Sequence, residues 1–279
     1  MSSYETTDEL HRYDNTCAVV VGCASGIGAC VAGQLLELGA EVIGLDIEPP
    51  EHLRDNAFRR VNLADVESID HAVASIDRRI DSLFNVAGVS SGIGDPLKVV
   101  TVNFLGTRHL TESLIPKMTP GSSIACVSSL AAAAYRDNHR QTMPLVRTTS
   151  MAEGISWCTD HPEALSDGGY RLSKEALILY SLINAAPLAQ EGIRINCVAP
   201  GVTDTPILTH YDAAYLQQFR PPLGRFATAT EQAAILTFLN SKAAAYLTGQ
   251  VLWADGGIHA NTLAAEMQWT NAETPTPTT

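Results

Sequence analysis

From residue 17 to about residue 260, short apolar runs alternate with stretches of helical periodicity. Ala18–Gly22, Glu41–Asp46, Phe58–Asn62, Leu83–Ala87, Ser123–Ser128, Ile193–Ala199 and Gln250–Ala254 are mostly apolar and short, and read as seven buried strands. Between the first two, Ile27, Val31, Leu35 and Leu38 recur at helical spacing, and Gly39 stands where a C-cap glycine belongs. Asp65–Arg79, Thr101–Ile115, Tyr170–Gln190 and Thr230–Asn240 carry the same periodicity. Strand and helix in unbroken alternation predict an α/β fold: a doubly wound, seven-stranded parallel sheet of Rossmann type with helices on both faces. No internal repeat and no linker divides the chain, so residues 1–279 are expected to form one domain.

Two segments break the alternation. Ser129 and Tyr170 are separated by 40 residues, Leu130–Gly169, far more than a strand-to-helix connection needs. Its scattered Leu, Val, Ile and Trp predict a helical insertion ahead of the Tyr170 helix. Residues 264–279, ending in Thr-Pro repeats, are expected to be a flexible tail.

Composition narrows the choice of partners. The formal net charge of −12 argues against nucleic acid and anionic membrane, which both want a basic surface. No run approaches the roughly 18 apolar residues of a membrane span. Met1–Asn15 has none of the features of a secretory signal, so a cytoplasmic location is expected. Cys17, Cys23, Cys30, Cys126, Cys158 and Cys197 form no CxxC pair, and the eight histidines are dispersed. Reduced, mostly buried thiols and no metal site are expected.

The chemistry starts at Gly22-Cys23-Ala24-Ser25-Gly26-Ile27-Gly28, which follows the first strand and opens the first helix. Glycines at this spacing let the backbone turn sharply and approach a pyrophosphate held by helix N-terminal N–H groups. Asp46 follows Gly28 by 18 residues, at the end of the second strand, where a carboxylate accepts hydrogen bonds from ribose hydroxyls. A 2′-phosphate would meet a like charge there, and neither the loop nor Ile47–Glu51 offers Arg or Lys, so NAD is expected over NADP. Tyr170 and Lys174 are at i and i+4 on one helix face. An ammonium ~4 Å from a phenol, at an effective dielectric of ~20, favours the phenolate by about 4 kcal/mol before desolvation takes some back. Such a tyrosine could exchange a proton with a substrate oxygen at neutral pH.

GCASGIG at 22–28, Asp46, NVAG at 85–88, Asn103 in VNFLGT, VSS at 127–129, YRLSK at 170–174, NCVAPGVTDTP at 196–206 and DGG at 255–257 occur in one order over nearly the whole chain. In these segments the chain resembles the short-chain dehydrogenase/reductase family, and within it the bacterial 3α-hydroxysteroid dehydrogenase/carbonyl reductase group. The resemblance implies a catalytic tetrad. Tyr170 is the acid–base group, and Ser129 holds the substrate oxygen with Ser128 as its structural neighbour. Lys174 lowers the tyrosine pKa and grips the nicotinamide ribose, while Asn103 bends its helix for a proton relay. It also implies that Gly22, Ser25, Gly26, Ile27, Gly28, Asp46, Asn62 and Leu63 bind the adenosine half of NAD. Asn85, Ala87 and Gly88 would flank the adenine ribose, and Pro200, Gly201, Val202 and Thr205 would frame the nicotinamide. The expected activity is interconversion of a secondary alcohol and its ketone.

Three positions depart from the family pattern. Val21 replaces a threonine, NNAG has become NVAG, and Asn62-Leu63 stands where an aspartate often contacts adenine. A non-catalytic NAD sensor would usually have lost part of the tetrad. An extended-branch epimerase would carry a separate C-terminal domain. An NADP-dependent carbonyl reductase is opposed by Asp46. Ile207–Leu223, with Leu208, Tyr211, Tyr215, Leu216 and Phe219, is expected to close over the site and favour a bulky, mostly apolar alcohol such as a steroid, an alicyclic or terpenoid alcohol, or an aryl carbinol. The Leu130–Gly169 insertion is expected to cap the pocket rim and cover helices used for tetramers, leaving a homodimer.

Overall fold

The computed structural model describes residues 6–206, 208 and 216–267. Strands β1 (Cys17–Val21), β2 (Glu41–Asp46), β3 (Phe58–Arg60), β4 (Ile80–Asn85), β5 (Met118–Val127), β6 (Arg194–Pro200) and β7 (Val251–Ala254) form one all-parallel sheet, ordered β3-β2-β1-β4-β5-β6-β7. The direction of winding reverses between β1 and β4, the point where such sheets open a crevice beyond their strand ends.

Alternation along β1 explains why the strand is apolar throughout. Val19 and Val21 face one core with Leu83, Ile124 and Leu177, whereas Ala18 and Val20 face a second with Val31, Phe84 and Leu236. A parallel sheet buried on both faces needs apolar residues at every position. Helices α1 (Gly26–Glu37) and α7 (Ala229–Asn240) cover the second core. Helices α2 (Val66–Ala74), α3 (Pro96–Leu114) and α6 (Tyr170–Gln190) cover the first.

Helix α3 begins at Pro96, five residues before the Thr101 read from its periodicity. Asp95 caps it by accepting from Lys98 N at 3.0 Å, and Pro96 occupies the first turn, a start signal independent of hydrophobic spacing. Between Pro96–Val100 and Thr107–Leu114 the helix runs as a π-turn over Thr101–Gly106. Helix α2 ends at Ala74 rather than Arg79, where Ser75 Oγ donates to Ala72 O at 2.7 Å. The last helix, α8 (Ile258–Glu266), contains residues 264–266 of the segment read as a tail, and 268–279 lie outside the described residues.

The long segment before α6 folds into α4 (Tyr135–Val146) and α5 (Met151–Asp160), flanked by short turns at Leu130–Ala132 and Pro162–Leu165. Two buried charged side chains hold it. Arg108 of α3 donates to Thr148 O (2.5 Å), Val146 O (3.3 Å) and Ser150 O (3.1 Å), tying the end of α4, the connection and the N-cap of α5 together. Glu175 of α6 accepts from Asn138 Nδ2 (2.6 Å), Thr142 Oγ1 (3.0 Å) and Arg171 Nη1 (3.1 Å). Gly154 lies against Leu105 of the π-turn so closely that a Cβ there would be 2.9 Å from Leu105 Cδ1. The insertion is therefore packed onto α3 and α6. Leu130, Ala131 and Asp167 of it line the cleft described below.

Candidate active site

At the switch point a cleft of about 790 Å³ runs across the carboxyl ends of the strands. Its floor at one end is the glycine loop. Gly22 (φ +89°) and Gly26 (φ +55°) take left-handed conformations that favour glycine. A Cβ on Gly22 would sit 2.6 Å from Ala87 Cα, and one on Gly28 would fall inside the Gly22 carbonyl. The loop thus presents bare backbone to the cleft, the close approach a pyrophosphate requires. Asp46 fixes this loop: its Oδ2 accepts from Ala24 N (2.8 Å) and its Oδ1 from Ile47 N (2.7 Å) and Glu48 N (3.3 Å).

The departures at Val21 and Val86 leave the loops joined by backbone. Val21 O accepts from both Val86 N (3.0 Å) and Ala87 N (2.8 Å). Asn62 Oδ1 accepts from Ala64 N at 3.0 Å, so the amide closes a local turn at the edge of the cleft.

Ser25, Ile27, Leu63, Ala87, Gly88, Pro200, Gly201, Val202 and Thr205 line the same cleft, Thr205 across from Gly26. Asn85 does not. Its side chain is buried and donates to Thr111 Oγ1 (2.8 Å), the end of β4 turning this amide toward α3. Arg60, which sequence spacing passed over, pairs in register with Asp46, donates to Ile47 O and lies 3.9 Å from Glu48. It comes from the neighbouring strand, so no local motif announces it.

The four tetrad positions converge at the other end. Gly168 and Gly169, both at positive φ, turn the chain into α6, where Tyr170 is the first residue. Ser129 and Tyr170 line the cleft. Ser128 also borders the cleft but is buried, its hydroxyl donating to Lys174 O at 2.7 Å. Lys174 Nζ donates to Val127 O (2.9 Å) and lies 5.7 Å from the Tyr170 ring centroid. Burial pushes the Lys174 ammonium down to about 8. Asn103 lies within the π-turn, fully buried. Its Oδ1 accepts from Val89 N (2.8 Å), and its Nδ2 donates to Val89 O (2.9 Å) and Ser173 Oγ (3.2 Å). Ser173 Oγ in turn donates to Tyr170 O at 2.7 Å, so the π-turn and the first turn of α6 are joined. π-turns of this kind recur at functional sites.

Beyond Tyr170 the cleft widens between Val102, Leu130, Leu208, Leu216 and Phe219. Tyr211 and Tyr215, read as part of a closing segment, lie outside the described residues. Lys98, Asp167 and Arg171 also line this end, and no sequence motif singled them out. Cys17, Cys23, Cys126, Cys158 and Cys197 are buried free thiols, and Cys30 is half-buried. Among the described residues no helix is long and apolar enough to cross a membrane.

A family model described as short chain dehydrogenase matches residues 16–139, and one described as Enoyl-(Acyl carrier protein) reductase matches residues 154–259. The chain is 36% identical over 246 residues to a coniferyl-alcohol dehydrogenase of Pseudomonas sp. (strain HR199 / DSM 7063), covering 86% of this chain and 95% of that one. It is 33% identical over 257 residues to the 3-alpha-hydroxysteroid dehydrogenase/carbonyl reductase of Comamonas testosteroni, covering 87% and 96%. The crystal structure of the 3-alpha-hydroxysteroid dehydrogenase from Pseudomonas sp. B-0831 complexed with NADH superposes with a TM-score of 0.74 at 27% identity, over 92% of this chain and all of that one.

Proposed function

The chain belongs to the short-chain dehydrogenase family, and on that premise we propose that it is an NAD-dependent oxidoreductase interconverting a bulky, largely apolar secondary alcohol and its ketone. The relatives' names, coniferyl alcohol and 3-alpha-hydroxysteroid, are both ring-bearing alcohols, and the apolar lining beyond Tyr170 suits such a body. The glycine loop fits a dinucleotide because a side chain at Gly22 or Gly28 would collide with Ala87 or with the Gly22 carbonyl and force the tight turn of the cradle apart. When bound, the nicotinamide takes or gives the hydride. Tyr170 then exchanges the proton of the substrate oxygen, and Ser129 hydrogen-bonds that oxygen and orients it. Lys174, whose ammonium is held beside the phenol by Val127 O, favours the phenolate. Asn103 keeps Val89 and the first turn of α6 in place.

Asp46 carries the choice of NAD. Its carboxylate lines the cleft at the end of β2, oriented by three backbone N–H groups. Repulsion with a 2′-phosphate supports a preference for NAD of about 100-fold in kcat/KM after solvent screening. Arg60 is the one observation favouring the rival, an NADP-dependent carbonyl reductase, but its guanidinium is engaged by Ile47 O and faces Glu48. Comparing kcat/KM for both cofactors in the wild type and in Asp46→Ala tests the assignment: the substitution should narrow the ratio at least tenfold, and equal use by the wild type refutes it.

The insertion covers α3 and α6 with its own helices, which supports association through other faces, as a homodimer. Light scattering should then give twice the 29.8 kDa chain mass, and a tetramer contradicts it.

A further inference from the structure

The substrate end of the cleft is not uniformly apolar. Besides Leu130, Leu208 and Leu216, its wall carries Lys98, Asp167 and Arg171. This wall is built beside Tyr170. Helix α3 packs so closely under Gly169 that a Cβ there would be 2.5 Å from Pro96 O, and Lys98 of the same helix lines the cleft. Arg171 directly follows Tyr170, and its side chain is about one-third exposed.

The guanidinium of Arg171 is fixed from behind. Nε contacts Asp167 Oδ2 at 2.6 Å, and Nη1 donates to the fully buried Glu175 Oε2 at 3.1 Å. Those two contacts leave Nη2 without a hydrogen bond among the described residues. The lone acid on the wall is equally committed, since Asp167 Oδ1 accepts from Gly169 N at 3.2 Å. Lys98 pairs with no carboxylate among the described residues. The two cations are thus matched by two carboxylates, Asp167 and Glu175, both spent on Arg171, which leaves the Lys98 ammonium without an ion pair among the described residues, in a protein whose formal net charge is −12. A preorganised guanidinium with a second cation beside it receives carboxylates by charge-assisted hydrogen bonds.

We propose that Lys98 and Arg171 form a carboxylate subsite, so that the alcohol oxidised at Tyr170 is a ring-bearing hydroxy acid whose charged end lies against this wall. The apolar side of the cleft takes the ring, and the carboxylate fixes which end of it enters. This rests on the oxidoreductase reading above, because the subsite acts by orienting an alcohol toward Tyr170.

The test uses the full-length enzyme with 4-(1-hydroxyethyl)benzoate and its methyl ester, which differ in charge at the end distal to the carbinol. In kcat/KM with NAD the acid should be preferred by about 10- to 100-fold, the range of a charge-assisted pair. In Lys98→Met that preference should fall at least fivefold, mainly through KM for the acid, with the ester unchanged. Calorimetric titration of the NADH complex with the same two compounds reads the subsite without turnover. Tighter binding of the acid, weakened by Lys98→Met, supports it even if neither compound is oxidised, in which case the activity reading is what fails. Oxidation of the ester as well as the acid, equal affinity for both, binding of neither, or a Lys98→Met enzyme that treats both as the wild type does, overturns the subsite.

Discussion

The glycine loop and the insertion both hold irregular chain against the sheet, and they do so by opposite means. At the loop, side chains are left out: Gly28 packs on the Gly22 carbonyl, and Val21 O gathers two N–H groups from the facing loop. At the insertion, large charged side chains are driven in: Arg108 gathers the end of α4, and Glu175 gathers Asn138 and Thr142. The first device leaves an open cradle of backbone donors for a ligand. The second leaves no opening, since buried charges are tolerable only when their hydrogen bonds are filled by protein. A region built to bind and a region built to support thus differ in which groups they leave free.

Tyr170 lines the same cleft as the loop and opens the helix on which the insertion packs, and loss of its phenol should have the largest effect. Tyr170→Phe is expected to lower kcat by at least ~10²- to 10⁴-fold while NADH affinity and the unfolding midpoint stay unchanged. More than about a tenth of wild-type turnover would remove the phenol from the mechanism. Gly28→Ala addresses the loop alone. Its Cβ cannot fit beside the Gly22 carbonyl, so NADH affinity, read by fluorescence titration, should drop about 10- to 100-fold. Unaltered affinity would show that no cofactor rests on that backbone.

Arg108→Met breaks the insertion instead. Three carbonyls lose a buried donor, and urea unfolding should show a loss of about 2–4 kcal/mol with NADH affinity retained. A change under about 0.5 kcal/mol would mean that the insertion is an ordinary surface loop. Lys174→Met gives the smallest shift, and its sign depends on pH. The folded lysine titrates at about 8 and the unfolded one near 10.5. Between those values the unfolded chain binds more protons, so this residue's contribution rises with pH, and below pH 8 the full cost of burying an ammonium is carried. At pH 7 the cofactor-free variant should be more stable by about 2–3 kcal/mol, less the lost bond to Val127 O, and the gap should close by about pH 10.5. A constant gap from pH 7 to 10.5 would show that Lys174 does not titrate in that window.

The same contrast explains what could be read from the sequence. Gly22, Gly26, Gly28, Asp46, Tyr170 and Lys174 are local signals, each within one turn or one strand end, and the cleft contains all six. What escaped is long-range. Arg108 and Thr148 are 40 residues apart, Asn138 and Glu175 37, and nothing in their spacing predicts contact. Arg60 reaches the end of β2 only because β3 pairs with it. Asn85 belongs with these, because its amide meets Thr111, 26 residues on, which its place in the motif does not announce.

The π-turn has a consequence for the rotational phase of α3. Each residue of an α-helix advances it by about 100°, and a π-turn accommodates one residue more than an α-turn does. Val99 and Val100 ahead of the turn, and Leu110 and Leu114 after it, are all buried, and the extra residue between them offsets the phase of the second stretch from the first by about that angle. Deleting a single residue within 101–106 would restore one continuous wheel. Even with every named side chain retained, it would swing Lys98 about a quarter turn relative to Arg108, so this helix tolerates substitution far better than a change in length.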